Sequence, residues 1–384
     1  MKALFLESLP YESAFRVGSH HYAERLLGHD WDAMWLSHPL SPLHLVHPVK
    51  RDFEVRMRSW RRGPMRYGRL SYYNPMTLLP STPLPVLRSR AVARASVRLT
   101  LPNARSMLRR HGFDAPDLVW LTNPIYEPLA RQLDAGCRVV RVADDNAAFA
   151  NIPDAVRELE EAALAAADVV FAVASSVRDR LAERYANVVH LPNGVEFERF
   201  AADAPEPEDL AAIPQPRALY VGATEYWFDA ALVAECARAM GDVSFVLVGP
   251  ESARVSEAVA GLRNVHVLGP RPYAAVPAYM RACDVGIVPF ARDEMVDAIH
   301  PIKVYEYLAA GLPVVAIRWQ ELEAMGAPVE LCERDGFCEG LEAVLDAGRE
   351  AGLEARLAYA RENSWDARFE VVSQEVAKVL GQSR

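Results

Sequence analysis

The sequence predicts a parallel α/β fold in two domains, and three observations carry that reading. Apolar runs of strand length alternate with segments of helical period from the first residues onward, the pattern of parallel sheets covered by helices. In the second half the runs end in glycine or Gly-Pro, as at Gly222, Gly249-Pro250 and Gly269-Pro270. Between the halves, AADAPEPEDLAAIPQP (201–216) has no apolar period and is rich in Ala, Pro and acid, which marks a boundary. A chain of 384 residues, 51% hydrophobic, can bury about two cores. The expected division is 1–200, 201–365 and a last amphipathic helix over 366–384.

In chain order, Lys2 to Glu7 reads as a strand, followed by a loop with Arg16, Ser19, His20 and His21 and a helix, HYAERLLGH. Ligands of open α/β sheets bind at the carboxyl ends of strands, so Arg16, Ser19, His20 and His21 are candidate contacts to an acceptor. For each histidine alone, a loop or capping role is the other reading. Trp35-Leu-Ser and Val46-His-Pro are strand signals, and Ser71 to Pro85, with four prolines, cannot be regular helix. A basic helix is expected over about Ala91 to His111. Asp117 onward gives strand, helix, strand, the last over Val139 to Val142, with Asp144 and Asp145 just beyond its carboxyl end. Either aspartate suits a catalytic carboxylate there or a helix cap. Helix, strand, helix and strand then follow to Leu191.

The second half opens with the strand Arg217 to Val221 and Gly222, where a missing side chain lets the backbone approach a ligand. Trp227 and Asp229 after it suit a core anchor and a helix cap. Strands follow at Val243–Val248, Val265–Leu268 and Val285–Val288, and Arg271, Phe290 and Arg292 stand beside their ends as candidate donor contacts. The most informative stretch is HPIKVYEYLAAGLPVVAI (300–317): a helix opened by Pro301, stopped by Gly311 and Pro313, and followed by a buried strand. Lys303, Glu306, Tyr307 and Ala310 share one helix face. A lysine in a first turn opposes the helix dipole, and an anion there relieves the conflict. A diphosphate beside Lys303, with Glu306 one turn deeper accepting from a ribose diol, describes a nucleotide-sugar site. A solvated Lys303–Glu306 pair, stabilising by only about 0.2–0.5 kcal/mol, is the competing reading.

The run Pro301-Ile-Lys-Val-Tyr-Glu306-Tyr-Leu-Ala-Ala-Gly311-Leu-Pro313-Val-Val resembles the donor-site signature of GT-B glycosyltransferases of the glycosyl transferases group 1 type. The resemblance implies two Rossmann-like α/β domains facing a cleft, with the C-terminal helix crossing back to the first. It gives Lys303 the donor diphosphate and Glu306 the ribose. Pro192-Asn193-Gly194-Val195 is similar to the segment where these enzymes leave their first domain, and Gly222 to their donor-facing glycine loop. Many members carry a second glutamate eight positions before the ribose glutamate, and Ala298 stands there instead, a departure from the retaining pattern. Arg141-Val-Ala-Asp144 resembles the matching segment of the inverting glucuronosyltransferase of xanthan assembly, which implies Asp144 as catalytic base. The implied reaction is metal-independent and cofactor-free, moving a sugar from a nucleotide sugar (UDP-sugar favoured) to a saccharide or lipid-linked acceptor. A retaining transferase and a nucleotide-sugar epimerase are the alternatives within enzymes.

The net charge of −9 is unevenly spread: 15 Lys and Arg against Asp52 and Glu54 give 50–110 a balance of +13, leaving −22 elsewhere. Interleaved with aromatics, these arginines suit an anionic membrane surface. A basic nucleic-acid-binding protein is the alternative from another class, but no recognisable module accompanies the arginines and the acidic remainder repels a polyanion. No run approaches the roughly 18 apolar residues of a spanning helix, and the N-terminus leads directly into a strand. Five scattered cysteines without metal spacing suggest reduced thiols in a cytoplasmic protein, peripheral on the inner membrane face.

Overall fold

The computed structural model describes residues 1–13, 15–46, 52–80, 87–143, 153–292, 294–297 and 299–382. Asp144, Asp145, Lys50 and Ala298 lie outside them. The chain divides into two compact units, Met1–Pro192 with Phe369–Arg384, and Asn193–Arg368. The division precedes residue 200 because Val195, Phe197 and Phe200 bury their side chains in the second core.

The first unit holds β1 (Lys2–Glu7), β2 (Asp32–Ser37), β3 (Met65–Tyr67), β4 (Leu70–Tyr73), β5 (Met76–Thr77), β6 (Thr100–Leu101), β7 (Leu118–Leu121), β8 (Cys137–Val142), β9 (Val169–Ala172) and β10 (Val188–His190). Eight of these form a sheet in the order β10-β9-β8-β7-β1-β2-β4-β3, parallel except for β3 against β4. Strand order reverses between β1 and β7, where the parallel class places its ligand sites. β1, β2, β7, β8 and β9 are almost wholly buried, as in parallel sheets covered on both faces, so they read as largely apolar runs. The last helix, Trp365–Gln382, packs on this unit from Phe369 onward, through the Phe369 ring on His29 and Leu380 against Gly136.

Two expected elements of the first unit are corrected, and two arginines of the basic region are engaged within the unit. The long basic helix is two helices, Arg90–Ser96 and Ala104–Arg110, because Pro102 cannot donate a helical N–H and Asn103 caps the second, accepting from Ser106 N–H at 3.0 Å. Around Val46 the chain is the short helix Leu43–Val46, not a strand. Arg56 is buried rather than displayed: its guanidinium donates to the carbonyls of Ser8 and His38, both at 2.9 Å. Arg69 is paired with Asp30.

The second unit holds β11 (Arg217–Val221), β12 (Ser244–Val248), β13 (Val265–Gly269), β14 (Val285–Val288), β15 (Val314–Ile317) and β16 (Glu330–Cys332). They form one parallel sheet, β13-β12-β11-β14-β15-β16, the doubly wound order that reverses between β11 and β14. Cys236, on helix Ala230–Ala239, and Cys338, on helix Phe337–Ala347, form a disulfide, which corrects the expectation of five thiols. The two cysteines are 102 residues apart, and only the packing of these helices brings them together. Cys137, Cys283 and Cys332 are free and buried. Among the described residues no helix is long and apolar enough to cross a membrane.

Candidate functional site

In the second unit the site is assembled where the strand order reverses. Helix Ile302–Ala309 begins just after Pro301, and its lysine is in the first turn. Val304 and Leu308 bury in the core, and Tyr307 turns inward as well: its hydroxyl accepts from Val221 N–H at 2.8 Å and donates to Leu219 carbonyl at 3.2 Å. Tyr307 therefore fixes the helix to the end of β11. The Lys303 ammonium lies 4.2 Å from the Tyr220 ring centroid and 4.7 Å from that of Phe290, and it donates to the Tyr220 hydroxyl at 3.0 Å. One ring ends β11 and the other follows β14, so the cation sits at the switch point.

Glycines keep this place open. Gly222 has φ +143°, and a Cβ there would stand 2.9 Å from the Lys303 ammonium; a Cβ on Gly249, at φ +148°, would stand 2.0 Å from the Gly222 carbonyl oxygen. The turns after β11 and β12 thus touch through bare backbone, directly beside the lysine.

Burial pushes the Lys303 pKa down to about 7, against the favourable charge of Glu306. Burial pushes Glu306 up to about 7, while a hydrogen bond from the Tyr273 hydroxyl at 2.8 Å and the Lys303 charge hold it lower than burial alone would. A half-buried cation and a buried carboxylate one turn apart, each near the midpoint of its titration at neutral pH, suit a ligand that brings an anion to one and hydroxyl donors to the other. Before them, His300 is buried between the Glu321 carboxylate (2.7 Å) and the Tyr305 hydroxyl (2.8 Å), which anchors the entry to the helix.

The other expected donor residues divide. Phe290 is 4% exposed and stacks on Trp319 with centroids 5.5 Å apart, so it is both core and wall of the lysine slot. Arg271 is held elsewhere: its guanidinium pairs with Asp209 at 2.5 Å and donates to the Tyr279 hydroxyl at 2.9 Å. Arg292 is exposed and lies 3.6 Å from Glu333. Asp229 caps helix Ala230–Ala239, accepting from Leu232 N–H at 2.9 Å. Sequence reasoning missed Tyr220 and Tyr273, whose hydroxyls complete the Lys303 and Glu306 environments. Nothing in a strand-end or loop tyrosine distinguishes it before the fold brings it there.

In the first unit, Ser19, His20 and His21 are not loop residues but the opening turns of helix Gly18–Gly28, all buried. His20 Nδ1 accepts from Val17 N–H at 3.1 Å and its ring packs 4.5 Å from Trp35, which spends the side chain on the helix start; burial lowers its pKa to about 4. Ser19 accepts from the Trp120 indole at 3.1 Å. Arg16 remains in the loop, paired with Glu24 at 2.5 Å. The residue overlooked there is Glu7, at the carboxyl end of β1 beside the strand-order reversal. It is 2% exposed, accepts from the Thr122 hydroxyl, and its Oε1 has no hydrogen-bond partner among the described residues. Burial pushes its pKa up to about 7, against Thr122, Ser19 and the charge of Arg141.

Residues 215–346 match the family described as glycosyl transferases group 1. The second unit carries a group 1 glycosyltransferase domain. This domain contains all the residues of the lysine slot. The chain is also 33% identical over 189 residues to TuaH of Bacillus subtilis (strain 168), described as a glycosyltransferase of teichuronic acid biosynthesis, covering 46% of this chain and 47% of that protein. The chain thus spans about half the length of this curated relative. Solved structures match throughout. Sucrose-phosphate synthase from Thermosynechococcus elongatus has a TM-score of 0.70 at 14% identity, covering 100% of both chains. HepE of Anabaena in complex with UDP has a TM-score of 0.67 at 14% identity, covering 98% of this chain and 100% of its own. At such identities the likeness establishes the fold, two Rossmann-like units of the GT-B class with the group 1 domain as the second.

Proposed function

We propose that this chain is a glycosyltransferase that moves a sugar from a nucleotide-sugar donor, a UDP-sugar by preference, to a hydroxyl of a saccharide or lipid-linked acceptor. The observation that carries the reading is the Lys303 ammonium, held over the Tyr220 and Phe290 rings beside the bare backbone of Gly222, with Glu306 one turn away. A donor diphosphate there receives the cation and the first-turn N–H groups, and Glu306 receives the ribose hydroxyls. The preference for UDP draws support from the uridine nucleotide bound to HepE, and a saccharide acceptor from the teichuronic acid role in the description of TuaH.

In the proposed inverting course, the acceptor oxygen forms its bond to the anomeric carbon as the bond from that carbon to the diphosphate oxygen breaks. The electron pair leaves on the diphosphate, where Lys303 stabilises it without a metal. The acceptor proton passes to a carboxylate, for which Asp144 is the candidate by its place beyond β8. The acceptor is proposed to lie near an anionic membrane. Leu78, Leu99 and Leu101 are 53%, 41% and 50% exposed along the β5–β6 ribbon, beside the exposed Arg94 and Arg98. Exposed leucines flanked by arginine suit an interfacial surface.

The test is release of UDP from UDP-sugars in the presence of membrane-derived acceptors and EDTA. Asp144→Asn is expected to lower turnover at least about a hundredfold while nucleotide affinity stays within about twofold. Undiminished turnover in that variant removes Asp144 from the mechanism, and loss of activity with EDTA removes the metal-independent course.

A further inference from the structure

Within the first unit, helix Arg90–Ser96, the segment Pro124–Ala130 after β7, and helix Asp154–Ala165 enclose a cavity of about 340 Å³. Ala93 packs on Ala155 and Leu159 and joins two of its walls. Four guanidinium groups line it, from Arg90, Arg94, Arg98 and Arg131, against two carboxylates, Glu127 and Glu158. Arg90 is tied to Glu158. Among the described residues Arg94 and Arg98 have no ion pair or side-chain hydrogen bond, though both border the same hollow. Glu127 is 6% exposed and, among the described residues, its Oε1 has no hydrogen-bond partner, with only a loose ion pair to the Arg131 guanidinium at 3.9 Å.

Arginines that serve solubility spread over a face or pair with acids. Here two guanidinium groups without a partner among the described residues border the same hollow as a buried, under-satisfied carboxylate, and the combination suits one ligand with both an anion and a hydroxyl donor. The wall formed by Glu127, Pro128, Arg131 and Gln132 belongs to the segment that follows β7. The volume lies within the roughly 300–1,000 Å³ of small-ligand sites. We infer that this pocket binds a phosphate or diphosphate ester, its anionic oxygens on Arg94 and Arg98 and a neighbouring hydroxyl on Glu127. Taking that ester to belong to the sugar acceptor rests on the transferase reading; the anion site itself does not.

Calorimetric titration of sodium diphosphate into the full chain, with UDP in excess so that the Lys303 slot is filled, tests it. The wild type is expected to bind diphosphate. Arg94→Ala should weaken binding about tenfold, and Arg94→Ala with Arg98→Ala about a hundredfold, since both positions are exposed and tolerate truncation. The paired change Arg109→Ala and Arg110→Ala, outside the pocket, should cost less than about threefold. No diphosphate binding beside UDP, or equal binding by the Arg94/Arg98 double variant, overturns the assignment. Flotation with phosphatidylglycerol vesicles identifies the source. A lipid headgroup requires that the same double variant float less and that diphosphate compete; a soluble phosphorylated ligand leaves flotation unchanged while diphosphate binding still depends on both arginines. Failure of UDP to bind the wild type would sink the transferase reading separately, because the dependence of diphosphate binding on Arg94 and Arg98 needs no turnover.

Discussion

Lys303 is the residue whose sequence context and surroundings agree most closely. Its position in the signature underlies the proposed diphosphate contact, and its ammonium lies over two rings and donates to one tyrosine hydroxyl. The rings themselves were not legible together. Phe290 stands beside a strand end, whereas Tyr220 reads as an ordinary strand residue 83 positions before the lysine. The histidines mark the opposite failure. His20 and His21 look like site residues because the loop before them is polar, yet His20 is consumed by the start of its helix. At this scale Gly222 makes a direct prediction. With φ +143° and only 2.9 Å between an alanine Cβ at this position and the ammonium, Gly222→Ala should destabilise the protein by about 1–3 kcal/mol and weaken nucleotide binding. Urea unfolding and UDP titration of the variant check both, and wild-type behaviour in both would mean the turn does not constrain the slot.

Among elements, helix Ile302–Ala309 was legible because its start, stop and apolar face all appear in one run, with Gly311 and Pro313 as punctuation. The Tyr307 contact to β11 was not, since its spacing groups it with Lys303 and Glu306 and only packing turns its hydroxyl to the Leu219 and Val221 backbone. The basic helix split for a reason the sequence does contain, Pro102 followed by Asn103, but arginine periodicity hid it. That split creates the β5–β6 ribbon and exposes Leu78, Leu99 and Leu101. If the ribbon enters a membrane interface, Leu78→Ser with Leu99→Ser should lower flotation with phosphatidylglycerol vesicles by about tenfold or more, from about 1.5–3 kcal/mol per buried leucine. Flotation equal to wild type would assign membrane attachment, if any, to the arginines alone.

At the scale of the whole molecule, alternation of strands and helices disclosed two parallel sheets, while strand order and the disulfide between Cys236 and Cys338 depend on contacts that no local pattern records. The charge asymmetry was legible as a total, but Arg56 shows that part of it is internal structure. Buried titratable groups in both units then shape stability against pH. Glu7 and Glu306 have folded pKa values of about 7, above their ordinary 4.5, so each holds its proton more tightly when folded and its contribution fades as pH rises from about 4.5 through 7. His20 and His38, lowered to about 4, act oppositely: the unfolded chain binds their protons first, so stability falls as pH drops below 6.5. The two pairs offset each other between these limits. Glu7→Gln removes one partner, and relative to wild type it should gain about 2 kcal/mol between pH 5 and pH 8. A pH-independent difference in denaturation midpoint would show that Glu7 does not titrate in that range.

The most direct test of the donor site is calorimetric titration of UDP into the full chain at pH 8 with EDTA, in two buffers of different ionisation enthalpy. Free Lys303, with its pKa near 7, is mostly neutral at that pH, and a diphosphate restores its charge. Binding should therefore take up close to one proton, and Lys303→Met should abolish the uptake and weaken UDP at least about tenfold. UDP that binds the Lys303→Met variant as tightly as wild type, or that does not bind the wild type, would contradict the assignment of this helix as a nucleotide-sugar site.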